Sequence, residues 1–126
     1  MHALHNIHAA LAPDRILVDT QPVSASPPVA SGRDELGTLD MRDWLDTIHA
    51  VDGLVEETIA GGLYALEHES WLVVTDTYDN GPEGFEIVRG WRGTRVPRGV
   101  IRRLAAATSP VTVQQEVRLR LLRRET

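Results

Sequence analysis

Three features of the chain predict an α/β layered domain. Segments of helical and of strand periodicity alternate along its length, which argues against an all-helical or all-β architecture. Residues 41–60 carry the strongest helical stripe, and residues 111–123 alternate in strand fashion. At 126 residues the chain fits a single domain, 1–126, within the roughly 100–150 residues typical of one core.

Residues 1–12 predict a helix, with Leu4, Ile7 and Leu11 on one side and His2, His5 and His8 beside them, stopped by Pro13 and Asp14. Residues 15–21 follow as a strand that is nearly apolar on both faces, the pattern of a strand covered on both sides. Pro22, then Ser24, Ser26, Pro27, Pro28 and Gly32, predict a flexible linker over 22–38, able to act as a lid. In the 41–60 helix Met41, Trp44, Leu45, Ile48, Val51, Val55 and Ile59 form the stripe, Asp40 is a suitable N-cap and Gly61-Gly62 a C-cap. A second strand is expected over 63–78 in two pieces, parted near Glu67-His68-Glu69. Short helices follow around Phe85, Val88 and Trp91 and from Pro97 to Ala107. In the last strand Val111, Val113, Gln115, Val117, Leu119 and Leu121 share one side. The prediction is four helices packed on about three main strands, the first two parallel through a right-handed crossover and the last antiparallel.

Composition narrows the chemistry. Hydrophobic residues make up 42% and charged residues 25%, values of an ordinary folded domain. The absence of cysteine removes disulfides, thiolate catalysis and cysteine-ligated metals. No apolar run reaches the roughly 20 residues that span a bilayer, and the N-terminus lacks a signal-peptide layout, so a cytoplasmic protein without membrane contact is expected. Residues 1–87 hold 3 Arg against 16 acidic residues, whereas residues 88–126 hold 10 Arg against 2 Glu. The simplest reading is mutual neutralisation, with the arginines of the last strand pairing to the acidic 41–57 helix rather than to nucleic acid. No aromatic follows Trp91 to stack on bases.

Leu11-Ala-Pro-Asp-Arg-Ile-Leu-Val-Asp-Thr-Gln-Pro-Val23 after a helix resembles the segment feeding the fifth strand of class I S-adenosylmethionine-dependent methyltransferases, with Asp14-Arg15 where that family has glycines. Gly62-Leu63-Tyr64, the strand from Trp71 to Asp79, Phe85 to Trp91 with Val96-Pro97, and the terminal strand resemble the later parts of such enzymes. The resemblance implies a truncated Rossmann-like domain, the C-terminal, substrate-side half. The glycine-rich turn and acidic strand end that hold the cofactor have no counterpart here, so no cofactor is expected. It further implies a non-catalytic, methyltransferase-like module that dimerises through an exposed sheet edge and binds a partner or small molecule. The alternative is the substrate-side component of a methyltransferase whose separate chain holds the cofactor. Whether the protein is an enzyme stays open, since no complete catalytic constellation is present.

The strand at 15–21 would be the cut edge of that larger fold, and unpaired edges invite pairing. A homodimer edge is therefore expected at Ile16, Leu17, Val18, Asp19 and Thr20. Ligands of open α/β sheets bind beyond the carboxyl ends of parallel strands, which would gather Gln21, Tyr78, Asp79, Asn80 and Gln114 on one rim. The simpler reading is that Asp79 and Asn80 cap the helix over 82–91. His2, His5 and His8 read as a polar flank in preference to a metal site, and no metal is expected.

Overall fold

A computed structural model describes residues 15–125. Its elements are β1 (Ile16–Pro22), β2 (Pro28–Ser31), β3 (Asp34–Thr38), α1 (Arg42–Ala60), β4 (Tyr64–Tyr78), α2 (Gly81–Val88), α3 (Arg98–Ala106) and β5 (Val111–Arg124). All five strands belong to one sheet, and every pairing is antiparallel. This overturns the truncated Rossmann-like expectation of a parallel layered sheet. The helix expected at 1–12, with His2, His5 and His8, lies outside the described residues.

The chain's last strand is the centre of the sheet. β5 pairs with β4 along its whole length, from Tyr78↔Val111 to Tyr64↔Arg124. Its other edge takes β1 between Pro22↔Val117 and Ile16↔Arg123, and β2 at Val29↔Val113 and Ala30↔Thr112. β1 and β4 do run in the same direction, but only because β5 lies between them and opposes both. A 14-residue strand inserted at the centre replaces the expected parallel crossover.

The segment read as a linker builds structure of its own. β2 and β3 form a hairpin whose turn contains Gly32 at φ 60°, the left-handed conformation glycine adopts without strain. The second predicted strand is continuous, with a register shift between Leu66 and His68 at the position expected to part it. Helix α1 begins where its apolar stripe begins, and it ends in the expected glycines. The Gly62 and Leu63 amides donate to the Ile59 and Thr58 carbonyls at 3.1 and 3.0 Å, with Gly62 at φ 77°.

Two apolar clusters hold the layers together. Val29, Leu36, Met41, Val88, Val100, Leu104, Val111 and Val113 pack at the end of the sheet that α2 and α3 cover. Val55, Tyr64 and Leu122 pack with Leu17, Val51 and Ile59 at the other end. β5 buries odd-numbered residues at its start, Val111, Val113 and Gln115, and even-numbered ones toward its end, Arg120 and Leu122. The sheet therefore changes its covered face along its length.

Gly81 marks the tightest contact between helices. Its amide donates to the Ala107 carbonyl at 2.9 Å, and a Cβ there would fall inside the Leu104 carbonyl. Gly81→Ala is expected to destabilise the fold by about 3 kcal/mol, because the obstacle is backbone and cannot rotate away. Urea unfolding measures it.

Candidate functional site

A cleft of about 270 Å³ opens between the end of β1, the start of α1, the loop after α2 and the middle of β5. Pro22, Met41, Trp44, Trp91, Arg92 and Gln115 line it. Each wall follows from local structure. The Pro22 carbonyl accepts the Trp44 indole N–H at 3.0 Å, which fixes the ring and occupies its only donor. Asp40 and Arg95 exchange backbone hydrogen bonds of 2.9 and 2.8 Å and tie the 89–97 loop to the entrance of α1. Gly93, at φ 68°, touches the Trp44 backbone where a Cβ would sit only 2.7 Å from the Trp44 nitrogen. That approach brings Trp91 and Arg92 to the cleft opposite Trp44.

One polar group stands out against these walls. Gln115 is 8% exposed, and its Oε1 is fully buried with no hydrogen-bond partner among the described residues. A buried acceptor left unpaired costs on the order of 1–3 kcal/mol, so such groups are rare without a reason. Arg92 is exposed, and no carboxylate among the described residues pairs with it. The cleft thus offers aromatic and thioether surface, the Gln115 side chain with its buried, unpaired acceptor, and one cation among its walls. None of its six lining residues carries a nucleophile or a general base.

No family model matches the chain, and no curated protein or solved structure matches it. The functional reading rests on the cleft itself.

Beside the cleft lies an ion network that joins β1, α1 and β5. Arg118 donates to both Asp52 carboxylate oxygens at 2.9 and 2.7 Å. Arg120 donates twice to Asp19 Oδ2, at 3.0 and 2.7 Å, and its Nη2 also lies 3.1 Å from Asp52 Oδ1. Burial alone would raise the Asp52 carboxyl, but hydrogen bonds from Arg118 and the charges of Arg118 and Arg120 outweigh it and hold it below the ordinary carboxylate range. The two arginines and two aspartates neutralise one another, so the network fastens α1 and β1 to β5 and leaves no group poised for proton transfer. The expected pairing of the basic last strand with the acidic helix is present in Arg118 and Asp52. At the entrance of α1, a hydrogen bond from Arg42 holds half-buried Asp40 at about 2.

The expected rim residues are not brought together. Gln21 pairs with Arg118 on β5, whereas Tyr78 pairs with Val111, seven positions away and thus roughly 24 Å along the strand. Gln21 Nε2 donates to Asp19 Oδ1 at 3.1 Å. Asn80 caps α2 by accepting from the Glu83 amide at 2.9 Å, and the Asp79 amide donates to Glu83 Oε2 at 3.0 Å. Gln114 is exposed opposite Thr75. Of the expected dimer-edge residues, Ile16, Val18 and Thr20 are exposed, while Leu17 and Asp19 face α1. Among the described residues no three metal-type side chains gather, and no helix is long and apolar enough to cross a membrane.

Sequence reasoning missed the cleft although its signal was present. Gln115 is the single polar residue in the row Val111, Val113, Gln115, Val117, Leu119 and Leu121. Trp44 and Trp91 were visible as apolar helix-face residues, but nothing local says that they meet.

Proposed function

We propose that the protein is a binding module for a small aromatic acid, held in the cleft lined by Trp44, Trp91 and Gln115. The guest is a planar ring with an N–H or O–H donor directed to Gln115 Oε1 and a carboxylate directed to Arg92. The buried, unpartnered Gln115 acceptor carries this reading, because it leaves a side chain that lines the cleft with one hydrogen bond still to accept. The two tryptophans and Met41 supply stacking and dispersion, and the absence of a base or nucleophile among the lining residues supports retention rather than turnover.

Indole-3-acetate has the required ring, donor and acid. At ~0.3 kcal/mol per heavy atom its thirteen atoms give ~4 kcal/mol, a dissociation constant of about 1 mM or tighter. Calorimetry is expected to show saturable one-to-one binding, weakened about tenfold by methylation of the ring nitrogen, which removes the donor. No heat at millimolar indole-3-acetate, or equal affinity for the methylated compound, would contradict the assignment.

A further inference from the structure

The outer edge of β4 has no strand beside it among the described residues, since its only pairing is with β5. It is also apolar where most edges are charged. Trp71, Leu72 and Val73 are consecutive and are 55%, 45% and 66% exposed. Successive strand residues point to opposite faces, so the stretch offers apolar surface on both sides of an open ladder. A long, open edge of this kind is a template for another strand.

We propose that a second copy of this chain adds to it, β4 against β4, antiparallel about a two-fold axis through Leu72. The sequence is self-complementary in that register. Leu72 meets Leu72 of the second copy, Trp71 meets its Val73, Ser70 its Val74 and Glu69 its Thr75. His68 meets Asp76, and the symmetry repeats this pair at the other end of the ladder. No like charges oppose one another. The register shift between Leu66 and His68 ends the regular stretch just beyond His68, so the ladder runs from 68 to 76. Aromatic to β-branched pairs at the centre with a His68 to Asp76 pair at each rim is the arrangement that favours pairing and fixes its register. The exposed edge of β1, with Ile16 and Val18, is shorter and lacks such a self-complementary row.

The proposal is tested on the full chain by sedimentation equilibrium at micromolar concentration. A dimer is expected, and Val73→Lys is expected to raise its dissociation constant about a hundredfold, a factor of ten from each of the two copies. Val18→Lys, at a residue also exposed but on β1, is expected to leave it unchanged. Because the chain has no cysteine, Leu72→Cys places two thiols across the axis, and mild oxidation is expected to give a covalent dimer. A monomer at these concentrations, a dimer indifferent to Val73→Lys, a dimer lost with Val18→Lys, or a Leu72→Cys variant that does not cross-link would each overturn it.

Discussion

Asp52→Ala is expected to lower stability by about 3–5 kcal/mol, the usual cost of removing one member of a buried ion pair. Its carboxylate neutralises Arg118 and also reaches Arg120, whose side chain is only 7% exposed. Without it two guanidiniums stay largely buried, with Asp19 alone to balance them. For a urea slope of roughly 2 kcal/mol per M, the unfolding midpoint would fall by about 2 M. Asp52→Leu combined with Arg118→Met is expected to recover most of the loss, since removing both charges leaves no orphan. A similar deficit in the double variant would mean that packing, not charge, dominates at this position.

The same carboxylate sets an acid limit. Its folded value lies below the unfolded value of about 3.9, so the unfolded chain takes up the proton first as pH falls. The contribution of Asp52 is therefore complete above about pH 4 and is lost as pH drops through the lower folded value. Asp52→Asn is expected to flatten this acid limb in urea titrations between about pH 2 and pH 5.

Gln115→Met should make the protein more stable and its ligand weaker. The thioether fills similar volume and removes the unpaired Oε1, a gain of about 1–3 kcal/mol. The same change removes the acceptor, so binding of indole-3-acetate is expected to fall about tenfold, to the level of its N-methyl analogue. That opposition separates a binding residue from a merely structural one, whose loss would lower stability and affinity together. Thermal unfolding with and without the ligand reads both effects on one sample.

The positions of α1, β1, β4 and β5 were legible in the chain; their pairing was not. The stripe of 41–60 and its terminal glycines located α1 closely, because helix periodicity and C-cap chemistry are local. β1, β4 and β5 were located by branched and alternating residues for the same reason. Strand direction depends on partners far apart in sequence, and the central place of β5 is set by long-range contacts such as Asp19 to Arg120, which are 101 positions apart. An α/β order reads as a parallel crossover unless a later strand enters between. The β2–β3 hairpin was hidden by Pro27 and Pro28, which read as a linker although Pro28 is the first residue of a strand, a position that tolerates it. The cleft is a tertiary product of Asp40, Gly93 and Pro22, each far from Gln115 in sequence. Only the lone glutamine in an apolar row announced it.

A crystal structure of the protein with indole-3-acetate tests the central claim most directly. The ring is expected between Trp44 and Trp91, its N–H within about 3 Å of Gln115 Oε1 and its carboxylate facing Arg92. A cleft left empty at saturating ligand, or a guest with no hydrogen bond to Gln115, would contradict it.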